Sequence, residues 1–296
     1  MNNYTRTMLI HKIYYELLGR RADPDGIDAY YNFTENLEDL QKIRNSIMNS
    51  EEYNNYKLQN NTFLYKNNLK LPIKTIVPLN LFLTWNTLNL PKYMTKNVEL
   101  LKQQNPEFKC YLFDDNMCRI FLIKNFSQDV VNAFESLNPG AYKADLWRYC
   151  ILYSMGGIYL DIKYNCLNEF KLIYLTDKEY FVKDRPSGCV YNGLIVVKPQ
   201  NQILLKCIKQ IVENVNNNFY PNNNGYSDCL EISGPRCLGN FFSNNEINKL
   251  ELYFNENIYF KDNIILTQYD EYRHEQFATC TNHNYCAFFD NKNVYK

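Results

Sequence analysis

Hydrophobic positions change their spacing along this chain, and the changes divide it. In TMLIHKIYYELLGR (7–20), Leu9, Ile10, Ile13, Tyr14, Leu17 and Leu18 recur every three or four residues, which predicts a helix that stops at Gly19. Asp23-Pro24-Asp25-Gly26 follows as a turn, because Pro presets φ and Gly accepts a positive one. A second helix carries Ile27, Tyr30, Tyr31 and Phe33, and a third runs from about Leu37 to Met48. Over 54–71 the period weakens and Asn and Lys dominate, the pattern of a linker. From Pro72 onward short apolar runs at 79–85, 109–113, 157–163, 179–183, 190–197 and 258–266 read as strands. Helical patterns lie between them at 92–104, 127–137, 141–154 and 201–215. This alternation predicts an α/β domain with flanking helices and a largely parallel sheet. The expected division is 1–57 helical, 58–71 linker and 72–296 α/β, with the Asn runs at 216–218 and 222–224 in a surface loop.

Charge and composition narrow the function classes. The 32 basic and 32 acidic residues cancel, so no electrostatic footprint for nucleic acid is present. No apolar run reaches the roughly 18 residues of a membrane span. The first residues lack the basic start, apolar centre and small-residue cleavage site of a signal peptide, so a cytoplasmic setting is expected. Ten cysteines stand singly, without a Cys-x-x-Cys pair, which argues against a zinc ribbon and for reduced, buried thiols.

The chemistry concentrates in NPGAYKADLWRYCILYSMGGIYLDIKYNC (138–166). Asp145 and Arg148 are three residues apart and share a helix face. They are either a local surface ion pair or a pair of fixed polar groups facing a cleft, where they would grip sugar hydroxyls. Gly156-Gly157 breaks the helix into a strand. Alternation along that strand places Ile158, Leu160 and Ile162 on one face and Tyr159, Asp161 and Lys163 on the other. Asp161 then falls near the C-terminal end of a central strand, where open α/β sheets place their ligands.

"ADLWRY" and "LYSMGGIYLD" resemble the catalytic core of glycosyltransferases with an Asp-x-Asp motif, which include glycosyltransferase family 32, capsular polysaccharide enzymes and α-mannosyltransferases. Flanking stretches extend the likeness: 75–115, "YNGLIVVKPQNQILL" (191–205) and "SGPRCLG" (233–239). The resemblance covers about 72–290 and implies a GT-A-like fold. It further implies transfer of a hexose from a nucleotide sugar, UDP-linked before GDP-linked, to a glycan acceptor with retention of configuration. It implies that Trp85 lines the nucleotide pocket and that Asp145 and Arg148 hold the donor sugar. Asp161 would contact the donor ribose and bind Mn²⁺ or Mg²⁺, and Asn192, Gly193, Gly234 and Pro235 would shape the cleft. The pattern departs from the family at Lys163, which stands where the second acid is expected and would face the diphosphate. Three outcomes follow: a metal held by Asp161 with His283, Asn284 or Asp290 from the tail; a diphosphate neutralised by Lys163; or an inactive site. A non-catalytic carbohydrate-binding protein, or an effector that glycosylates a protein, are the alternatives to a glycan enzyme. His11 and His274 receive no site role.

The N-terminal stretch "IYYELLGRRADPDGIDAYY", with "IMNSEEY" after it, is similar to the helical module called domain of unknown function 4214. That resemblance implies a small docking or oligomerisation unit over residues 1–57.

Overall fold

Asp23 starts a helix by accepting a hydrogen bond from the Gly26 amide at 2.8 Å, with Pro24 at the first helical position, where its missing N–H costs nothing. The computed structural model, which describes residues 3–18, 20–33, 37–53, 56, 74–221, 228–279 and 285–296, places this helix second of three. They are α1 (Asn3–Leu18), α2 (Pro24–Tyr30) and α3 (Leu37–Met48). Ile10, Ile13, Leu17 and Leu18 of α1 close on Leu40, Ile43 and Ile47 of α3 as a small core of their own. The expected stop at Gly19, the linker at 58–71 and the Asn run at 222–224 lie outside the described residues.

The α/β region begins with β1 (Asn80–Thr84), α4 (Lys92–Gln104), β2 (Lys109–Phe113), α5 (Asp115–Asn125), α6 (Gln128–Ser136), α7 (Gly140–Met155) and β3 (Gly157–Leu160). It continues through β4 (Tyr164–Cys166), β5 (Tyr180–Lys183), β6 (Val190–Val197), α8 (Gln202–Asn216), α9 (Pro235–Gly239) and α10 (Asn244–Asn248). The last elements are β7 (Leu252–Asn255), β8 (Asn257–Phe260), β9 (Asn263–Gln268), α11 (Tyr272–Thr279) and α12 (Tyr285–Asp290). Nine strands form one sheet in the order β2-β1-β3-β6-β5-β7-β8-β9-β4. The α/β class is as expected, but the sheet is mixed rather than largely parallel. Parallel pairing is confined to β2-β1-β3 and β5-β7, and the remaining pairs are antiparallel. Parallel neighbours need a long crossover, which α4 supplies between β1 and β2, whereas the short links β5–β6, β7–β8 and β8–β9 give antiparallel pairs.

Two strand assignments change. Residues 258–266 are not one strand but the hairpin β8–β9, which turns at Lys261 with φ +53°. Residues 157–163 end as a strand at Leu160; 161–163 then turn into β4, with the Tyr164 amide bonded to the Asp161 carbonyl at 3.0 Å.

Helices cover both sheet faces. Phe82, Tyr159 and Ile195 pack with Leu146, Trp147 and Cys150 of α7 on one side, and Leu81, Ile158, Leu160 and Ile162 pack with Met94, Val98 and Leu101 of α4 on the other. The Gly-Gly break is obligatory. Gly156 and Gly157 take φ +62° and +121°, and a Cβ would fall 2.6 Å from Pro199 at the first and 2.5 Å from the Asn80 carbonyl oxygen at the second. The nine described cysteines are free, and seven are buried. No helix of the described residues is long and apolar enough to cross a membrane.

Candidate functional site

Three elements converge past the end of β3. Leu160 pairs with Leu194 of β6, and the next amide, that of Asp161, donates to the Gly193 carbonyl at 2.8 Å. Gly193 has to be small there: a Cβ would sit 2.4 Å from the Tyr191 hydroxyl and 2.7 Å from Asp161 Oδ2. On the neighbouring helix α7, Asp145 and Arg148 are both buried, so the reading as a surface ion pair does not hold. Arg148 Nη1 donates to Asp161 Oδ1 at 3.2 Å and to the Asn192 carbonyl at 2.7 Å, while Nη2 lies 3.3 Å from Asp145 Oδ1. Its guanidinium also sits 4.2 Å over the Tyr159 ring, a contact that favours a cation taken out of water.

Each acid has its own environment. Asp145 accepts from Asn192 Nδ2 at 2.9 Å and from Ser233 Oγ at 2.8 Å. Burial pushes its pKa up, against the pull of Arg148 and these two donors. Asp161 has a cation on each oxygen: Arg148 on Oδ1, and Lys163 Nζ on Oδ2 at 2.8 Å. The Tyr159 hydroxyl adds a bond to Oδ1 at 3.1 Å and that of Tyr191 one to Oδ2 at 3.4 Å. Burial opposes its ionisation, but the charges of Lys163 and Arg148 outweigh that and hold its pKa below the ordinary carboxylate value. Lys163 reaches Asp161 through the turn at 161–163 rather than by strand alternation, because β3 has already ended.

These groups open on a cleft of about 340 Å³. Asp145, Arg148, Tyr159, Asp161, Lys163 and Asn192 line it, and Trp85, Gly234 and Pro235 close it from other sides. Gly193 supports the floor without lining it. Gly234 packs close to Asp145, since a Cβ would come within 3.4 Å of Oδ2. The Trp85 indole N–H is buried and has no hydrogen-bond partner among the described residues. Asp290 is exposed on α12 and does not line the cleft, and His283 and Asn284 lie outside the described residues. Sequence reasoning missed Tyr191 and Ser233, although both stand in stretches that it singled out. It also missed Tyr272, Arg273 and Gln276 of α11, which line the cleft from a charged stretch without a motif.

The Mn²⁺ or Mg²⁺ expected at Asp161 can be tested against this donor set. Hard cations need several oxygen ligands. Both Asp161 oxygens are engaged by cations and phenols, and a protonated lysine cannot ligate. Among the described residues no group of three His, Cys, Asp or Glu side chains could hold an ion. The described residues therefore do not fit a metal bound at Asp161.

Residues 91–182, which include Asp145, Arg148 and Asp161, match the family model described as glycosyltransferase sugar-binding region containing DXD motif. The resemblance carried by "ADLWRY" and "GGIYLD" thus holds. The initiation-specific alpha-1,6-mannosyltransferase of Candida albicans is 33% identical over 91 residues, 29% of this chain and 24% of that protein. The mannosyl phosphorylinositol ceramide synthase CSH1 of Saccharomyces cerevisiae is 27% identical over 161 residues, 54% of this chain and 41% of that protein. The chain thus spans about a quarter and about two fifths of these two relatives. An uncharacterized glycosyltransferase of Acanthamoeba polyphaga mimivirus is 26% identical over 219 residues, 69% of this chain and 84% of that protein. Among solved structures, the PaToxG glycosyltransferase aligns with a TM-score of 0.42 and 19% identity, over 55% of this chain and 67% of that one.

Proposed function

We propose that this cleft binds a nucleotide sugar and transfers its hexose to a hydroxyl of a glycan acceptor, with retention of configuration. The observation that carries the reading is the buried Asp145–Arg148–Asp161 network, which opens on a cleft within the matched region. Asp145 and Arg148 hold the donor sugar, Asp161 holds the ribose, and Trp85, with its unpartnered indole N–H, lines the nucleotide pocket. Asn192, Gly193, Gly234 and Pro235 shape the donor and acceptor cleft. In the reaction the bond from the anomeric carbon to the phosphate oxygen breaks, and its electron pair leaves on the diphosphate. The acceptor oxygen bonds to the same face of that carbon and releases its proton to water. The negative charge gained by the diphosphate needs a preorganised positive partner. Lys163 supplies it in this proposal, in place of an ion on Asp161.

UDP-sugars remain the first donors to try, and the relatives' names bring mannose in as a sugar to test on either nucleotide. The buried free cysteines suit a reducing compartment, and a cytoplasmic setting is part of the proposal. The test is nucleoside diphosphate release from UDP- and GDP-hexoses, in EDTA and in Mn²⁺, by wild type and Asp161→Ala. Turnover unaffected by EDTA, and lower by about 100-fold in the variant, is expected. Equal release by both proteins would leave a carbohydrate-binding protein without turnover. Loss of turnover in EDTA would return the charge-neutralising role to a metal.

A further inference from the structure

The start of helix α11 is held by groups far away in the chain. In its first turn, Glu275 accepts the Tyr93 and Met94 amides at the start of α4, at 2.7 and 2.8 Å, and the Tyr269 hydroxyl at 3.0 Å. At its entry the anchor comes from the N-terminal helices. Arg44 of α3 grips Asp270 with two bonds, Nε to Oδ2 at 2.8 Å and Nη2 to Oδ1 at 3.1 Å. The same Nη2 also donates to Glu16 of α1. Glu16 is almost fully buried and accepts from Thr267, whose hydroxyl oxygen lies 2.9 Å from the Asn257 side-chain amide. Lys12 completes the cluster, donating to the Gln268 carbonyl at 3.3 Å with Asp270 3.8 Å away.

All of these contacts from α1 and α3 land on residues 267–270, the end of β9 and the lead into α11. Two residues further on, Tyr272 sits edge-on to Trp85 with ring centroids 6.3 Å apart. Tyr272, Arg273 and Gln276 form cleft wall. A plain anchor for three helices could use apolar contact anywhere on the sheet. An ionic cluster built on a buried acid, as this one is on Glu16, contributes little net stability but fixes one geometry, because removing a member strands a charge. Its two-pronged grip on Asp270 sets the position and the direction from which the chain enters α11.

We propose that Arg44 is a positioning residue of the cleft: by holding Asp270, the N-terminal helices fix the start of α11 and thereby place Tyr272 and Arg273 in the cleft wall. Residues 1–57 then serve as part of the binding site from behind, in addition to any docking role of their own. The inference rests on the nucleotide-sugar reading only where a nucleotide is the probe.

The test compares the full wild-type chain with Arg44→Ala, Arg44→Lys and Asp270→Asn. Amide exchange in peptides covering 268–279 is measured first, then binding of UDP and of GDP by calorimetry. Arg44→Ala should accelerate exchange in α11 while β1, β3 and β6 stay protected, because local opening is separable from global unfolding. It should also weaken nucleotide binding by about tenfold. Arg44→Lys should fall between, since lysine keeps the charge but loses the fork. Unchanged exchange in α11, or a rise spread evenly over the sheet, would overturn the inference and leave a plain anchor. If Arg44→Ala does not fold, Asp270→Asn, which keeps the side-chain shape, decides by the same exchange pattern. If wild type binds neither UDP nor GDP, the nucleotide-sugar reading fails, and the exchange result still decides the positioning role.

Discussion

Two arginines in this protein, Arg148 buried and Arg44 half-buried, each face two carboxylates, and they do different things. Arg148 joins Asp145 and Asp161, and Arg44 joins Glu16 and Asp270. The first cluster lines a cleft, and one of its acids carries an extra cation, Lys163. None of the second cluster's members lines that cleft, and its neighbours are Thr267, Asn257 and Lys12. The arginine–carboxylate pair is thus no signature of a ligand site in itself. In each, two cations meet two carboxylates, so what separates them is whether a face is left open on the cleft. Asp161 and Asp270 illustrate the common part. Burial opposes ionisation of both, and the adjacent cations nevertheless hold both below the ordinary carboxylate range.

The sharpest way to break the comparison is to remove each arginine. Arg148→Met strands Asp145 without any other cation, and should cost about 4 kcal/mol in urea unfolding and abolish nucleotide binding. Arg44→Ala leaves Lys12 near both acids, so its loss should be smaller, about 2 kcal/mol by the same measurement.

Acid titration probes the shared feature. Asp161 and Asp270 have folded pKa values below their unfolded ones, so each contributes stability that is present above the unfolded pKa, about 4. That contribution is lost as pH falls through the folded pKa. Unfolding measured below about pH 4 should therefore show a steep loss in wild type and a shallower one in Asp161→Asn and in Asp270→Asn. Asp145 acts in the opposite sense, since burial raises its pKa, and its contribution is lost as pH rises through that value. The smallest effect should come from Ser233→Ala, which removes one of the two neutral donors on Asp145 and should cost about 1.5 kcal/mol.

Much of the first cluster was legible in the chain. Asp145 and Arg148 are three residues apart, Asp161 is 13 residues beyond Arg148, and the Gly-Gly break between them has only one good backbone solution. Helix 92–104 and strands 109–113 and 190–197 match their patterns because each is long enough, or apolar enough, to show its period. The hairpin at 258–266 was hidden because its turn uses Lys261 at a positive φ, where Gly or Asn would have marked it. Nothing local announces the second cluster, for Arg44 and Asp270 are separated by 226 positions.

By itself, then, the sequence determined the N-terminal helices, four helices of the α/β region (α4, α6, α7 and α8) and the central strands, the helix–break–strand unit that delivers Asp145, Arg148 and Asp161, and the oddity of a lysine after the first acid. Those follow from side-chain period and backbone sterics, which act over a few residues. Only the tertiary structure decided that the lysine turns back onto Asp161, that the sheet is mixed, and that α11 walls the cleft under the grip of the N-terminal helices. Those depend on hydrogen bonds of about 3 Å between residues up to 256 positions apart, and such reach exists only once the chain has closed on itself.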